Sequence, residues 1–175
     1  MQKSWYIVYT KAKCEKKVAI LLTKRKIENF CPFASKQINH LRKNKLIHEP
    51  LFSSYVFVNI DENDIPLVKK LENVVNLVYW KGMPAKIKNE EIEDIKYFTN
   101  NYQGIKLERT NVNTYDEAKM INGPSYKMDG KLLVIKNRFL KVNLPSLGFT
   151  MIAEMESESI IGREIILDNK EMLLQ

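Results

Sequence analysis

The strand-like segment 55–60 constrains the fold of this chain most, because it is apolar on both of its faces. Side chains alternate along a strand, so Tyr55 and Phe57 point to one side, and the other side carries Val56, Val58 and Ile60. A strand in a small open sheet usually buries one face and exposes the other to water. One face must therefore be covered by helices of the same chain or reserved for a partner.

Length and composition predict a globular protein with one ordinary domain or two small ones. The chain has 175 residues, and 45% of them are hydrophobic, which suffices for a real core. It has no run of about 18 apolar residues and no signal-peptide pattern at its start. Its two cysteines, Cys14 and Cys31, are too few for a disulfide framework and are typical of a reducing compartment. We expect a cytoplasmic protein with no membrane partner.

The positive charge is concentrated in the first 50 residues. This region has twelve Lys or Arg residues against three Glu residues, a local charge of +9, so the other 125 residues sum to −2 of the total +7. A basic region beside a nearly neutral remainder favours a surface that meets a polyanion, most often nucleic acid. The alternative is a solvated lysine face that keeps the protein soluble.

Residues 1–99 follow the order strand, helix, strand hairpin, helix, strand, helix, which predicts an α+β domain. The first strand covers residues 4–10 and the first helix residues 15–26. Lys13, Lys17 and Lys24 fall within about 40° of one another on a helical wheel, so they form a basic edge. The hairpin has a basic tip with Arg42, Lys43 and Lys45. The residues that this pattern offers for nucleic-acid binding are Lys13, Lys17 and Lys24 on the helix edge and Arg42, Lys43 and Lys45 at the hairpin tip.

The rest of the chain predicts a second, all-β unit. Residues 100–113 are rich in Asn and lack periodicity, which is typical of a linker. Residues 114–156 hold short strands separated by turns, including a strand at 118–121, and indicate a small closed barrel. Residues 157–175 form a C-terminal extension that is too apolar for a free tail, and its pattern does not distinguish helix from strand.

The sequence has no pattern that calls for catalysis. His40, His48 and Cys31 lack a fourth zinc ligand at a recognisable spacing, and the six glycines form no phosphate-binding loop. The acidic residues at 90–94 fit the first turn of a helix better than an acid–base pair. We therefore expect no enzyme, cofactor or metal. A nucleic-acid-processing enzyme would need a carboxylate cluster or a metal site.

A series of short motifs stands in a fixed order between residues 4 and 156. They are Ser4-Trp-Tyr-Ile-Val-Tyr9, Phe30-Cys-Pro32, Glu49-Pro-Leu-Phe52, Tyr55-Val-Phe57, Met83-Pro84, Asn122-Gly-Pro124, Gly130 and Leu144-Pro-Ser-Leu-Gly148. Together they resemble the N-terminal domain of the NusG superfamily followed by its KOW (SH3-like) barrel. The Glu-Pro-Leu-Phe motif, Val78-Tyr-Trp80 and Leu144-Pro-Ser-Leu-Gly148 are most similar to specialised paralogues of the RfaH and UpxY type, which are antiterminators of long operons, typically for surface polysaccharides.

This resemblance implies a transcription elongation factor that docks on RNA polymerase. Aromatic residues at the matching positions would bind the clamp helices of the β′ subunit: Tyr9, Phe52, Tyr55, Phe57 and Trp80. Lys11 and Lys17 match basic positions that contact the non-template DNA strand in the transcription bubble. The domain would also reach the β subunit, although Asp64-Ile-Pro-Leu-Val68 stands where RfaH has a His-Thr-Thr pattern for that contact.

The resemblance also implies partners for the barrel, namely a ribosomal protein, a termination factor or RNA. In RfaH this domain can be stored as a helical hairpin over the clamp-binding face, whereas the β-branched stretch 131–144 favours the barrel here. The alternative function is a KOW-containing RNA-binding module associated with ribosomes, which would not need an aromatic strand face reserved for polymerase.

Overall fold

The computed structural model describes residues 2–40, 43–109, 125–128, 131–136 and 139–154. Arg42, the predicted strand at 118–121 and the extension 157–175 lie outside these residues. The described chain folds into two five-stranded antiparallel sheets, two small hairpins and three α-helices. The sequence therefore predicted the α+β class of the N-terminal part correctly.

The N-terminal sheet has the strand order β2-β5-β1-β6, and a fifth strand, β9, also pairs with β1. Every pair in it is antiparallel. Its strands are β1 Ser4–Thr10, β2 Glu28–Phe30, β5 Tyr55–Ile60, β6 Val74–Leu77 and β9 Lys86–Ile87. Its helices are α1 Glu15–Lys24, α2 Ile65–Lys69 and α3 Asn89–Asn101.

Two hairpins extend the N-terminal unit. Strands β3 Phe33–His40 and β4 Lys43–Pro50 pair along their full length, from Phe33 opposite Pro50 to His40 opposite Lys43, which confirms the predicted hairpin. The shorter hairpin joins β7 Tyr79–Trp80 to β8 Met83–Pro84. It leaves the sheet edge where β6 ends and β9 begins, because β6 pairs with Val8–Thr10 and β9 with Trp5 and Tyr6 of the same strand β1.

Both faces of β5 are buried, and by different parts of the chain. Val56, Val58 and Ile60 lie against α1 and α2, where Val18, Leu22 and Val68 are fully buried. The opposite face carries Phe57 and, on the neighbouring strand β1, Trp5 and Ile7. That face packs against Ile92, Ile95 and Phe98 of α3 and against residues from the second sheet.

The second sheet, here the C-terminal sheet, has the order β10-β14-β13-β12-β11. Its strands are β10 Lys106–Arg109, β11 Ser125–Met128, β12 Lys131–Lys136, β13 Phe139–Leu144 and β14 Phe149–Glu154. Its buried side chains join the core cluster that contains Phe57: Leu140, Val142, Leu144, Met151 and Ala153. The predicted strands at 131–136 and 139–144 are confirmed, whereas closure into a barrel stays a prediction.

Residues 100–109, which belong to the segment that the sequence suggested as a plain linker, hold regular structure. Helix α3 continues to Asn101, and β10 pairs with β14 from Lys106 opposite Ile152 to Arg109 opposite Phe149. Ile105 is buried and Leu107 packs against the same cluster, so two apolar residues spaced by two anchor this segment. The asparagine-rich composition hid that short alternation. Among the described residues, no helix is long and apolar enough to cross a membrane.

Candidate docking surface

The aromatic face, defined here as Tyr9, Phe52, Tyr55 and Phe57, is largely covered by the C-terminal sheet. Phe57 is 0% exposed and Phe52 is 2% exposed. The Phe52 ring lies 5.4 Å from that of Phe57 and 5.9 Å from that of Phe149 on β14, both in edge-on geometry. Phe52 and Phe57, which were predicted to bind the clamp helices, are therefore closed to a partner in this conformation, because strands more than 80 residues later along the chain cover them.

The open part of the aromatic face is its Tyr9 end. Tyr9 is 44% exposed and lies directly opposite the half-buried Tyr55 in the β1–β5 register. Their rings meet edge to face with centroids 6.1 Å apart. Tyrosines of this kind present an apolar body and a polar hydroxyl tip, which suits a protein interface.

A tight turn positions Phe52 and Tyr55 on either side of Ser54. The Tyr55 N–H donates to the Phe52 carbonyl at 3.2 Å, and Ser54 adopts φ 63°, a left-handed conformation that costs a non-glycine residue about 1 kcal/mol. The buried Glu15 carboxylate accepts the Ser54 N–H at 2.6 Å, and the Ser54 carbonyl accepts the Thr10 N–H at 2.8 Å. Glu15 therefore supports the aromatic face, a role that its sequence position at the start of α1 did not reveal.

The β7–β8 hairpin supplies a second exposed apolar site. Trp80 is 65% exposed and its cross-strand neighbour Met83 is 68% exposed. The two residues between them, Lys81 and Gly82, both have positive φ, as a two-residue hairpin turn requires. The sequence analysis predicted Trp80 but missed Met83, although the Lys-Gly pair between the two was a recognisable hairpin signal.

The basic edge of α1 is smaller than the helical wheel suggested. Lys11, Lys17 and Lys24 are exposed, and Lys17 and Lys24 lie seven residues apart on one side of α1. Lys13 is also exposed, but it precedes the helix and has φ 61°, so its predicted place on the wheel is wrong. The reason is that the chain makes a turn, with the Cys14 N–H donating to the Lys11 carbonyl, before α1 begins at Glu15.

The hairpin tip is only partly described. Lys43 and Lys45 lie on β4, opposite His40 and Ile38, so both belong to the part of the hairpin next to its turn. Arg42 lies outside the described residues. The structure therefore places the hairpin where the sequence predicted it, and the role of these three residues in nucleic-acid binding stays a prediction.

The thiol of Cys31 lies near Glu15, the carboxylate that accepts the Ser54 N–H below the aromatic face. Burial, and secondarily the Glu15 carboxylate, raises the pKa of Cys31 from 9.0 to about 12. Since only the thiolate is nucleophilic, its reactive fraction below pH 9 is about a thousandfold lower than in an ordinary cysteine. Cys31 is partly buried and packs against the core that Val56 and Val58 share with α1.

We expect iodoacetamide to modify Cys31 far more slowly in the folded protein than in the urea-unfolded chain at pH 8.5, as measured by mass spectrometry. The raised pKa also means that the unfolded chain loses this proton above pH 9 while the folded chain keeps it. The free energy of unfolding should thus fall between pH 9 and 12 by more than in Cys31→Ala. Equal labelling rates in the two states would contradict this assignment.

The described side chains contain no cluster suited to holding a metal ion. Within residues 2–40, 43–109 and the described strands that follow, no three His, Cys, Asp or Glu residues are placed to hold a metal ion. His48 instead lies with its Nδ1 atom 3.1 Å from the Ser35 hydroxyl.

These observations define a class of protein: a small two-sheet protein with aromatic and basic surfaces suited to docking on macromolecules. The chain belongs to the NusG family. Residues 3–96, more than half of the chain, match the family model described as "Transcription termination factor nusG". Members of this family are non-enzymatic transcription factors.

Solved structures give a more distant comparison. The chain is 20% identical to NusG of Thermotoga maritima, whose structure was described with respect to its domain interaction. The TM-score is 0.43, and the match covers 89% of this chain and 99% of that one. It is 16% identical to a chain of the MjSpt4:Spt5 complex, with a TM-score of 0.32 over 86% of this chain and 99% of that one. The search of curated proteins found no match.

Proposed function

We propose that this protein is a transcription elongation and antitermination factor that docks on the clamp helices of the RNA polymerase β′ subunit. The observation that supports this most is the aromatic face, which is built on β1 and β5 at the positions that the family resemblance assigns to polymerase binding. Aromatic side chains in a desolvated patch dominate the energy of protein interfaces. Trp80, on its own exposed hairpin, would extend the same interface.

Docking through the whole aromatic face requires the C-terminal sheet to move away. Phe52 and Phe57 are buried beneath Phe149 and its neighbours, so polymerase cannot contact them in the conformation described here. Tyr9 and Trp80 are exposed in the same conformation. We propose that these two residues make the first contact and that Phe52, Tyr55 and Phe57 join it after the sheet has separated.

The non-template DNA strand is the proposed nucleic-acid partner. The lysines near the β1–α1 junction point into solvent, which suits neutralisation of a phosphate backbone. Their neighbour Glu15 is buried and bonded to Ser54, so it does not offset their charge at the surface. Lys43, Lys45 and Arg42 of the long hairpin are proposed to extend this contact.

The proposed cellular role is antitermination on long operons, such as those for surface polysaccharides, with a ribosomal protein or termination factor bound by the C-terminal sheet. A contact with the polymerase β subunit would need a different set of side chains from that in RfaH, because Asp64-Ile-Pro-Leu-Val68 stands where RfaH has its His-Thr-Thr pattern. The alternative is a ribosome-associated RNA-binding module, for which the basic surface alone would suffice.

Incubation of the full-length protein with core RNA polymerase, and separately with ribosomes, tests this proposal. Co-elution with polymerase, together with increased read-through of a terminator in a reconstituted reaction, is the expected result. Binding to ribosomes without binding to polymerase would reject the polymerase proposal in favour of the alternative.

Replacing Lys11 and Lys17 together by Ala is expected to weaken the salt dependence of binding to a polymerase–bubble complex. Each lost phosphate contact on a single strand lowers the slope of log K against log salt by about 0.7, so the pair should lower it by about 1.4. The double variant Lys70→Ala/Lys106→Ala removes two exposed lysines elsewhere and is the matched control. Equal slopes for the two double variants would exclude Lys11 and Lys17 from DNA binding.

A further inference from the structure

Glu91 is a buried carboxylate at the point where the two sheets meet. It lies in the first turn of α3 and is 4% exposed, whereas its neighbour Glu90 is exposed. A buried charge is costly unless hydrogen bonds compensate for the lost water. The start of a helix favours a negative charge, but it does not by itself explain why Glu91 is buried.

The two oxygens of Glu91 accept hydrogen bonds from different parts of the protein. Its Oε2 atom accepts the Lys88 N–H at 3.2 Å, which caps the start of α3. Its Oε1 atom accepts the Ser146 N–H at 2.8 Å, from the turn that connects β13 to β14 in the C-terminal sheet. One side chain therefore ties the N-terminal unit to the sheet that covers the aromatic face.

The Ser146 turn is rigidly connected to that cover. The Leu147 and Gly148 N–H groups both donate to the Leu144 carbonyl at 3.0 Å, and Gly148 has φ 68°. Leu144 before the turn is fully buried in the shared core, and Phe149 after it meets the Phe52 ring. A displacement of Ser146 would therefore displace the residues that bury Phe52.

The chemistry of this contact suits a reversible lock. In the closed form, the hydrogen bond from the Ser146 N–H is partly buried, and the charge of its acceptor makes it stronger than a neutral one. When the sheet leaves, water can solvate the Glu91 carboxylate, and the Lys88 bond can keep α3 capped. The open form therefore carries no buried unpaired charge.

We propose that Glu91 is a latch: its hydrogen bond to the Ser146 N–H holds the C-terminal sheet over the aromatic face and so limits access to Phe52 and Phe57. The latch itself depends only on the contacts between the two sheets. Its consequence for polymerase binding rests on the proposed function.

Hydroxyl-radical footprinting of the full-length protein tests the latch without any partner. In the isosteric Glu91→Gln, which keeps one uncharged acceptor, we expect a smaller rise in the oxidation of Phe52, and in Glu91→Ala, which keeps neither acceptor, a rise of about tenfold. This is the lower end of the effect of losing a hydrogen bond to a charged group. Tyr6, which is buried in the other core against α1 and α2, should stay protected and reports that the domain is still folded.

Two matched variants separate the latch from simple helix capping. Glu90→Ala removes the same charge from the same helix turn without a contact to Ser146. Lys88→Pro removes the N–H bonded to Oε2, together with the exposed lysine side chain, and leaves the Ser146 bond in place; the φ of −70° at Lys88 is compatible with proline. Both variants should leave Phe52 protected. Unchanged protection in both Glu91 variants would overturn the latch, as would equal exposure of Phe52 in Lys88→Pro.

Polymerase binding then gives a separate readout. If the closed form excludes the clamp helices, the apparent Kd is the intrinsic Kd divided by the open fraction, so Glu91→Ala should bind core polymerase about tenfold more tightly. Footprinting that shows release while polymerase affinity stays unchanged would support the latch and count against the proposed docking face.

Discussion

Replacing Phe57 by Ala is expected to lower the free energy of unfolding by about 3–5 kcal/mol, the range for a fully buried phenylalanine. The side chain is completely buried, contacts Phe30 and Phe52, and belongs to the core that joins the two sheets. Its loss would leave a cavity that strands β1 and β5 cannot close, because both are fixed by hydrogen bonds along their length. Urea unfolding followed by circular dichroism measures this change.

The matched control for this experiment is Tyr9→Ala on the partner strand. Tyr9 is exposed and makes one edge-on ring contact with Tyr55, so we expect a loss of about 1 kcal/mol or less. Similar losses for the two variants would mean that Phe57 is not a core residue in solution. The comparison also shows that any polymerase-binding test with Phe57→Ala must first establish that the protein is folded.

Replacing Trp80 by Ala is expected to weaken binding to core RNA polymerase by about thirtyfold, since a tryptophan at the centre of an interface typically contributes 2 kcal/mol or more. The side chain is 65% exposed on the β7–β8 hairpin, so its removal should change the free energy of unfolding by about 0.5 kcal/mol or less. Biolayer interferometry with immobilised polymerase gives the affinity, and thermal unfolding gives the stability.

Phe139→Ala is the control for Trp80, because Phe139 is also an exposed aromatic residue, at 39%, but lies on the C-terminal sheet. It should keep the affinity of the unmodified protein. If Trp80→Ala binds polymerase as tightly as Phe139→Ala does, then Trp80 is not part of the docking surface and the interface is confined to β1 and β5.

Local sequence patterns predicted most elements of the N-terminal unit, because those elements depend on short-range periodicity. The alternation in β1 and β5, and the burial of Val18, Leu22 and Val68 on one side of each helix, follow directly from the spacing of apolar residues. The start of α3 at Asn89 likewise follows from its acidic first turn.

Prediction was less successful where a single residue adopts an unusual conformation. Lys13 and Ser54 both have positive φ, and neither is a glycine, so nothing in the sequence marks the turns that they make. The first error placed Lys13 on a helix that begins later. The positive φ of Ser54 was not predicted, and with it the turn that places Phe52 in the core and Tyr55 at the edge of the core was missed.

The sequence alone determined that β5 has two apolar faces, that the first 50 residues are strongly basic and that a second β-rich unit follows. Only the tertiary structure decided what covers each face: α1 and α2 on one side, and α3 with the C-terminal sheet on the other. The physical reason is that hydrophobic burial has no directional preference along the chain, so apolar patterning reveals that a surface must be covered without revealing by what. The contact between Glu91 and Ser146, 55 residues apart, is likewise a property of the folded chain alone.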